Sequence, residues 1–340
     1  MAVDKRVLIT GPIFDTPSGP SGQGGKLYTA LKDEGYTIYK RSNKRNRILR
    51  LIDTLGFILL NFWKYDITIV QVFSYKAFVL ESIVILLNKL LCKKIIAVIR
   101  GGAFPEFTNK YPAYVKFILR KCNTVVTPSK FVIEELIKHQ LSISYIPNFI
   151  DQTHFPYHWK SEESNRLLWV RAFHKIYNPG IAVKCIAELR NQYPDITLTM
   201  IGPDMGELEN TNKLIKDLDL STNVLIVGSV PNKDLAKYYQ THSVFLTTTS
   251  YESFGVSIVE AASCGIPQVA TAVGEIPMMW QNGQDILLSD IKDQETFNSN
   301  VSRLLNSKEL SMNLSKKANK KAKEFTWSFV RMKWLDLLAS

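Results

Sequence analysis

The chain has 340 residues, of which 46% are hydrophobic and 21% are charged. This is the composition of a folded globular protein, and the length predicts two domains of about 150 residues each. The four cysteines are scattered without a CxxC pair, which argues against a zinc site or a disulfide framework and fits a reducing cytoplasm.

Charge is distributed unevenly along the chain. Residues 1–150 contain 22 Lys and Arg against 10 Asp and Glu, a net charge of +12, whereas the remaining residues contain 20 and 21, a net charge of −1. A basic half attracts polyanions, so it predicts a partner such as nucleic acid, anionic lipid headgroups or a phosphorylated substrate.

Short apolar, β-branched runs alternate with longer segments of helical period in the first half of the chain. The opening MAVDKRVLITG has early charges and a four-residue apolar run, which predicts a first strand and not a signal peptide. The predicted strands are residues 7–10, 67–72, 94–100, 124–128 and 144–147. The predicted helices are residues 26–34, 76–91, 112–122 and 130–139.

The second half repeats this alternation after a polar, aromatic and non-periodic linker at residues 151–165. Its predicted strands are residues 166–171, 197–202, 224–229, 244–249 and 267–271. Its predicted helices are residues 180–193, 207–218, 233–239 and 255–264, and residues 325–338 are predicted to form a final amphipathic helix.

A β-α-β-α order that occurs twice predicts an α/β fold with two Rossmann-like parallel-sheet domains. The predicted domains are residues 1–150 and 151–325, with a C-terminal helix at 326–340 that crosses back to the first domain. Because such domains bind ligands at the carboxyl ends of their strands, the central cleft that the two domains face is the predicted active site.

The most informative segment is residues 243–274, SVFLTTTSYESFGVSIVEAASCGIPQVATAVG. An apolar strand leads through a polar loop to Phe254 and Gly255, and the helix that follows stops at Gly265 and Pro267. We expect the backbone N–H groups of Phe254 to Ser257 to be unpaired at the positive helix end. Such an end binds a phosphate group without any special side chain.

Two carboxylates lie in this segment, eight residues apart. Glu252 is in the loop and Glu260 is one to two turns into the helix, so one can face a sugar while the other reaches a neighbouring pair of hydroxyls. A carboxylate only accepts hydrogen bonds, which suits it to the 2′- and 3′-hydroxyls of a ribose.

Glu252 and Glu260, followed by Ala-Ala-Ser-Cys-Gly-Ile-Pro, resemble the E-x7-E signature of retaining glycosyltransferases of the family 4 type, or glycosyl transferases group 1. The resemblance implies the GT-B fold, with the acceptor held by the first domain and a nucleotide sugar by the second. It also implies that Glu260 holds the ribose and that Glu252 lies against the donor sugar. The donor phosphate is expected at the helix start, at Ser253, Phe254, Gly255 and Val256.

A pair of cations extends the resemblance. Arg171 ends the first strand of the second domain and Lys175 follows in WVRAFHKIYNPG, where the family spacing is five positions and this one is four. Two cations at a strand end can neutralise a diphosphate leaving group as its negative charge grows. The Ile-Tyr-Asn-Pro that follows resembles a polysaccharide-synthesis branch of the family.

Further segments resemble the donor site more loosely. Gly202 and Ser229 lie at strand ends that flank the base and phosphates in the family, and Gly24 and Gly25 belong to GPSGQGG, which resembles the glycine-rich loop that approaches the donor phosphate. Many relatives have a histidine after the fourth strand of the first domain, where this chain has Arg100. We expect Arg100 to bind an acceptor phosphate instead.

A basic run precedes an apolar segment in the first half. Residues 40–50 carry six Lys or Arg, and residues 48–63 are apolar but interrupted by Arg50, Asp53 and Asn61, so they are too short to span a bilayer. A basic segment beside an amphipathic helix with Phe and Trp fits docking on an anionic membrane surface. A core helix preceded by a solvated charge run is the alternative.

The sequence therefore predicts a retaining glycosyltransferase that moves a hexose-type sugar from a UDP- or GDP-sugar to a saccharide or lipid-linked acceptor in cell-surface polysaccharide synthesis. No cofactor or metal is expected, because Arg171 and Lys175 would take the place of Mg²⁺. The expected location is cytoplasmic, with peripheral association at the inner face of the plasma membrane.

Other functions fit parts of the sequence. A nucleotide-sugar epimerase or a phosphorylase could use the same fold, but an epimerase would need no acceptor and would leave the basic half without a purpose. A dehydrogenase is disfavoured because GPIFDTPSGP after the first strand lacks a GxGxxG motif. A basic nucleic-acid-binding protein is the non-enzymatic alternative, although no reading motif predicts a specific nucleic acid.

Overall fold

The computed structural model of the protein describes residues 5–16, 19–20, 22–159 and 164–340. The chain forms two compact units. Unit 1 comprises residues 1–148 and 330–340, and unit 2 comprises residues 149–329. Residues 1–4, which precede the predicted first strand, and residues 160–163 of the predicted linker lie outside the described residues.

Unit 1 is built on a six-stranded parallel sheet with the order β4-β1-β5-β6-β7-β8. Strand β5 is buried along its whole length and β6 along all but its first residue, which requires apolar residues on both faces. A separate two-stranded antiparallel ribbon joins β2 and β3. The strands are β1 (Arg6–Thr10), β2 (Asp15–Thr16), β3 (Gly19–Pro20), β4 (Thr37–Arg41), β5 (Ile67–Val72), β6 (Lys94–Ile99), β7 (Thr124–Thr127) and β8 (Ser144–Tyr145).

Helices connect these strands and cover the sheet. Helix α2 begins after Asn46, whose side chain accepts hydrogen bonds from the N–H groups of Ile48 and Leu49. Phe78, Phe104 and their neighbours pack into a single core under the sheet. The helices are α1 (Gly22–Asp33), α2 (Arg47–Asn61), α3 (Lys76–Leu90), α4 (Phe104–Lys110), α5 (Pro112–Leu119) and α6 (Lys130–Ile137).

Unit 2 contains a second six-stranded parallel sheet, with the order β11-β10-β9-β12-β13-β14. Two apolar clusters, one including Phe245 and Ile258 and the other including Trp169 and Leu246, form its core. The strands are β9 (Arg166–Val170), β10 (Thr197–Ile201), β11 (Val224–Gly228), β12 (Val244–Thr247), β13 (Gln268–Thr271) and β14 (Leu287–Ser289). The helices are α7 (Pro179–Leu189), α8 (Leu208–Asp217), α9 (Ala236–Thr241), α10 (Val256–Cys264), α11 (Ile276–Met279), α12 (Gln294–Asn306) and α13 (Lys308–Ala322).

The last helix, α14 (Trp327–Ala339), begins in unit 2 and ends in unit 1. Its unit 1 segment, residues 330–340, is held near both ends by side chains of unit 1. Arg331 forms an ion pair of 2.7 Å with Glu34. The ammonium groups of Lys5 and Lys94 donate to the carbonyl oxygens of Leu338 and Leu337, at 2.8 and 2.7 Å. Basic side chains at a helix C-terminus satisfy carbonyls that have no partner within the helix.

The prediction of two α/β domains with parallel sheets is confirmed. The predicted strands all occur, with ends that differ by at most two residues, but the ribbon strands β2 and β3 and the sheet strands β4 and β14 were not predicted. β4 carries Lys40 and Arg41 at the sheet edge, and β14 has only three residues, so neither gives a long apolar run. The glycine-rich segment 19–25 is not a single loop, because α1 already begins at Gly22; Ser21 lies outside the described residues.

Strand order reverses once in each sheet. In unit 1 the chain places β4 on one side of β1 and β5 on the other, so the reversal lies between β1 and β5. In unit 2 it lies between β9 and β12. At such a point the connections on either side leave in opposite directions, which opens a crevice at the carboxyl ends of the strands where ligands bind.

Helix α2 presents an apolar face to solvent. Ile52 and Leu60 are 60% and 70% exposed, whereas Thr54 and Ile58 face the core. At about 100° per residue the exposed apolar positions fall within an arc of about 120°. They are Ile48, Leu49, Ile52, Leu59 and Leu60. No helix in the described part of the chain combines the length and apolarity needed to cross a membrane.

Candidate active site

The candidate active site lies at the strand-order reversal of unit 2. Arg171, which follows β9, donates its backbone N–H to Ile201 O at 3.0 Å. Gly202, which follows β10, donates to Gly228 O at 2.9 Å, and the exposed Ser229 comes next. These bonds continue the sheet by one residue and so bring the predicted Arg171, Gly202 and Ser229 to one edge.

Position 202 requires a glycine, because the backbone of Arg171 lies too close to leave room for a side chain. The φ of Gly202 is +155°, and a Cβ atom at this position would lie 1.8 Å from the Arg171 carbonyl oxygen. A side chain would therefore displace the backbone that carries Arg171. The glycine predicted as a donor-binding residue has this structural role whatever else it contacts.

The loop after β12 is held by hydrogen bonds to residues in β9 and in the segment that follows it. Trp169 Nε1 donates to Thr248 Oγ1 at 2.9 Å, and that hydroxyl donates to Tyr177 O at 2.7 Å. Ser250 N donates to Ile176 O at 2.7 Å. The two connections that flank the reversal therefore hold each other, which limits the motion of the loop that carries Glu252.

Glu252 and Arg171 form an ion pair. The Glu252 Oε2 to Arg171 Nη2 distance is 2.7 Å, and the side chains are 14% and 12% exposed. Arg171 Nη1 also donates to Ser257 Oγ. The Arg171 Nε is buried and has no acceptor among the described residues. A buried donor of this kind is costly unless something accepts from it, which marks the position for an anion.

The start of α10 is less open than the sequence predicted. Glu252 Oε1 accepts from the N–H groups of Ser253 and Phe254 at 3.1 and 3.3 Å. The expectation that the Phe254 N–H is unpaired was therefore wrong, because the preceding carboxylate folds back onto it. The N–H groups of Gly255, Val256 and Ser257 have no acceptor within the described ranges. Gly255 has φ +81°, which turns the chain into the helix.

Glu260 is buried, with 3% exposure. Its Oε1 accepts from Asn232 Nδ2 at 2.9 Å, and its Oε2 accepts from the Tyr239 hydroxyl at 3.5 Å. Burial raises the pKa of Tyr239 well above its usual range, and the nearby Glu260 raises it further. These two hydrogen bonds fix the orientation of the Glu260 carboxylate.

Lys175 lies at the start of a 3-10 turn, Lys175–Tyr177, and is exposed. The described residues give its ammonium group no hydrogen bond or ion-pair partner. Arg171 is thus held by hydrogen bonds at this edge, whereas Lys175 is exposed and could contact a ligand from solvent.

The predicted site residues of unit 1 are arranged differently. Gly24 and Gly25 are buried in the first turn of α1, and a Cβ on Gly24 would lie 3.3 Å from Ile13. Helix packing therefore accounts for Gly24. The Arg100 Nε donates to Gln71 Oε1 at 2.7 Å, and its Nη1 donates to Asn148 Oδ1. Burial lowers the pKa of Arg100 to about 10, so its guanidinium remains charged at pH 7.

Three functional contacts were missed by the sequence reasoning. Asn232 holds Glu260, Ser257 holds Arg171, and Gly274 leaves room for the Glu252 carbonyl, which would lie 2.1 Å from a Cβ at that position. Asn232 follows Pro231 in the segment after β11, and Gly274 is a lone glycine in the segment after the buried strand β13. Residue type marks both positions as unusual, but the sequence does not show which residue each one contacts.

Most of unit 2 matches the model of a known protein family. Residues 151–321 match the model of the family described as "Glycosyl transferases group 1". The chain is 26% identical over 235 residues to an N-acetyl-alpha-D-glucosaminyl L-malate synthase of Bacillus anthracis, which covers 66% of this chain and 60% of that protein. It is 26% identical over 165 residues to a D-inositol 3-phosphate glycosyltransferase of Corynebacterium jeikeium, covering 47% and 39%.

The chain therefore spans less than two thirds of the length of these curated relatives. Among solved structures it is similar to the Anabaena protein Alr3699/HepE in complex with UDP and glucose. The TM-score is 0.79 with 14% identity, over 99% of this chain and 100% of that one. At this identity the likeness shows the GT-B fold, in agreement with the two parallel sheets.

Proposed function

Because the chain belongs to the glycosyl transferases group 1 family, we propose that it is a retaining glycosyltransferase that uses a UDP- or GDP-linked sugar as donor. The observation that carries the proposal is the arrangement around Arg171. Its buried Nε and the three N–H groups that start α10 offer donors without acceptors, at the strand-order reversal of a parallel sheet. This is the chemistry of a diphosphate site.

The predicted residues of unit 2 that surround the helix start have separate roles in this proposal. Glu260 accepts from the ribose hydroxyls, and Glu252 orients the donor sugar. Arg171 and the helix start at Gly255 hold the diphosphate, and Lys175 closes on it from solvent. These cations stabilise the charge that develops on the leaving group, so we propose that the reaction needs no metal ion.

In the proposed transfer one bond to the anomeric carbon breaks and another forms. The bond between the anomeric carbon and the diphosphate oxygen breaks, and the diphosphate leaves with the electron pair. The acceptor hydroxyl attacks on the same face, and its proton passes to a diphosphate oxygen. Such a step requires no protein nucleophile, and it preserves the anomeric configuration of the donor.

The Arg171–Glu252 ion pair gives this proposal an energetic consequence. Without donor, each side chain is the partner of the other at 2.7 Å. Diphosphate binding would draw Arg171 away from Glu252 and free the Glu252 carboxylate for the sugar hydroxyls. Donor binding and orientation of the sugar are then coupled through one guanidinium group.

We propose that the acceptor is a saccharide or a lipid-linked saccharide of a cell-surface polysaccharide. The basic charge of the first half supports an anionic acceptor. Two curated relatives are themselves named for L-malate and inositol 3-phosphate, compounds that carry carboxylate or phosphate groups.

The first test is a thermal-shift panel of UDP, GDP and ADP with their common sugar conjugates. A ligand that binds only the native state at a hundred times its Kd stabilises it by about 2.7 kcal/mol. We expect one nucleotide family to raise the melting temperature of the wild type and not of Glu260→Ala. Glu209→Ala, which removes an exposed glutamate of the same unit, is the matched control. No response to any nucleotide at millimolar concentration would contradict the donor site.

Analysis of the product then tests the reaction itself. With the donor identified and an acceptor in hand, the NMR coupling constant of the anomeric proton is expected to match that of the donor. Inversion would refute the retaining proposal. Conversion of the donor sugar to its epimer without transfer would favour the epimerase alternative.

We further propose that the protein docks on an anionic membrane through α2. The apolar face of this helix is exposed, and basic residues flank it, with Lys44 and Arg45 before it and Lys64 after it. Helix α3, which contacts α2, adds a second exposed apolar stripe of Val79, Ile83, Leu86 and Leu90. Apolar insertion and attraction to anionic lipids would act together here.

Co-sedimentation with vesicles tests the docking proposal. Binding is expected with phosphatidylglycerol-containing vesicles and not with pure phosphatidylcholine, and Ile52→Glu is expected to abolish it. Ile137→Glu is the matched control, because Ile137 is 58% exposed on α6 and lies outside this face. Unchanged binding of Ile52→Glu, or concentration-dependent dimerisation without vesicle binding, would contradict the proposal.

A further inference from the structure

A pocket with a mixed polar and apolar lining lies in unit 1, at the strand-order reversal between β1 and β5. It has a volume of about 50 Å³ and opens beyond the carboxyl ends of the two strands. Thr10 and Gly11 form one side and Gln71 the other, while Arg47, Arg50 and Glu81 reach it from α2 and α3. The donor-site residues of unit 2 have no part in it.

The Gln71 side chain directs its NH₂ group, a hydrogen-bond donor, into this pocket. The side chain is 3% exposed, and its Oε1 accepts from Arg100 Nε at 2.7 Å. An arginine only donates, so the amide oxygen must face Arg100 and the NH₂ group must face away from it. The Gln71 Nε2 is buried and has no acceptor in the described ranges. Arg100 is thus a positioning residue for Gln71.

Two further features show that the backbone is fitted to Gln71. Gly11 has φ +146°, and a Cβ there would lie 2.8 Å from the Gln71 Cβ and Cγ atoms. The Thr10 Oγ1 is also buried, without a hydrogen-bond partner among the residues described. Each of these two buried polar groups lacks a hydrogen bond, which destabilises the unliganded protein, and a ligand that accepts from both would supply the missing bonds.

The charges around the pocket favour an anion. Arg50 is half-buried and donates to Lys44 O at 3.0 Å, and Arg47 lies one turn before it on α2. Glu81 accepts from the Phe73 N–H at 2.7 Å, and burial raises the pKa of its carboxyl group to about 8 despite the two nearby arginines. Arg47 and Arg50 together outweigh this single carboxyl group, so the pocket is positive whether or not Glu81 is protonated.

We propose that this pocket binds an oxyanion of the sugar acceptor, a phosphate or carboxylate group, through the Gln71 amide, the Thr10 hydroxyl and Arg50. The inference rests on the transferase function proposed above and adds the class of acceptor and the residues that select it. A volume of about 50 Å³ fits one such group and not a whole sugar, so the rest of the acceptor would extend out of the pocket.

The test uses inorganic phosphate and acetate as probes. The melting temperature of the full chain is measured at pH 7 while either anion replaces chloride at constant ionic strength. We expect saturable stabilisation of the wild type by at least one of them; preference between the two distinguishes a phosphate from a carboxylate acceptor. No stabilisation by either would overturn the proposal.

Gln71→Glu is the informative variant. It keeps an oxygen for Arg100, so the fold is retained, but it replaces the amide donor with a negative group. We expect at least tenfold weaker anion binding, and the same for Arg50→Gln, whereas Arg120→Gln, at an exposed arginine outside the pocket, binds as the wild type does.

The same variants separate this inference from the donor site. Gln71→Glu is expected to keep the wild-type response to the donor nucleotide. If the nucleotide response is intact and anion binding is unchanged in Gln71→Glu, the pocket is refuted while the transferase proposal stands. If no nucleotide binds the wild type, the transferase proposal fails by its own test.

Discussion

Replacing Glu260 with glutamine probes the donor site at one hydrogen bond. The substitution keeps the shape of the side chain, and its amide oxygen can still accept from Asn232, which now donates to Glu260 at 2.9 Å. It removes the negative charge and gives a hydroxyl partner an NH₂ group in place of an acceptor oxygen. The unliganded protein is therefore expected to melt within a few degrees of the wild type.

The loss in nucleotide affinity follows from the burial of this group. Glu260 is 3% exposed, so a bond from a ribose hydroxyl would be shielded from water. A hydrogen bond to a charged group contributes about 1.5–3 kcal/mol. We therefore expect Glu260→Gln to bind the nucleoside diphosphate roughly 10- to 150-fold more weakly.

Isothermal titration calorimetry with ribose and 2′-deoxyribose forms of the nucleotide completes a double-mutant cycle. In the wild type the deoxy form should lose a similar 1.5–3 kcal/mol, whereas in Glu260→Gln it should lose almost nothing more, since the partner is already absent. Glu209→Gln serves as the control. Equal penalties for the deoxy form in both proteins would refute contact between Glu260 and the 2′-hydroxyl, and the 3′-deoxy form would then be tested in the same way.

Three further predictions concern stability and reactivity. Gly202→Ala should destabilise unit 2 by about 3 kcal/mol or more and weaken nucleotide binding, because its Cβ would meet the Arg171 carbonyl; urea unfolding and calorimetry measure both, and a wild-type midpoint would contradict it. Since Glu81 has a folded pKa of about 8 against about 4.5 unfolded, its contribution to stability is complete below pH 4.5 and is lost as pH rises to 8. Glu81→Gln should remove roughly 3 kcal/mol of this decline in urea unfolding between pH 5 and 9, and an unchanged slope would count against it. The exposed Cys92 should give the one fast reaction with a thiol reagent, absent in Cys92→Ser, because Cys264 is buried and its pKa is raised to about 12.

The sequence predicted those parts of the fold that depend on local pattern. Buried parallel strands such as β5 and β6 are apolar on both faces, so they stand out as β-branched runs. β4 does not, because it is an edge strand that continues into the basic run. The first turn of α1 was predicted as loop, since glycines rarely begin a helix unless packing against a neighbour such as Ile13 requires their small size.

The candidate site was predictable in membership but not in pairing. Glu252, Glu260 and Arg171 were found from residue type and spacing. That Glu252 binds Arg171 depends on the neighbouring positions of β9 and β12, which lie 81 residues apart at this contact. For the same reason the sequence assigned Arg100 directly to a ligand, whereas in the fold it holds Gln71. Sheet order determines such pairs, and spacing along the chain does not reveal it.

The discontinuity of unit 1 has a consequence for biosynthesis. Residues 330–340, whose carbonyls accept from Lys5 and Lys94, leave the ribosome only after the 181 residues of unit 2. At synthesis rates of about 5–20 residues per second, unit 1 waits roughly 10 to 35 seconds for its last helical segment. During that interval Lys5 and Lys94, at the starts of β1 and β6, are without the carbonyl groups that accept from them. Unit 2 is contiguous in the chain, so it can complete its fold before the older half does.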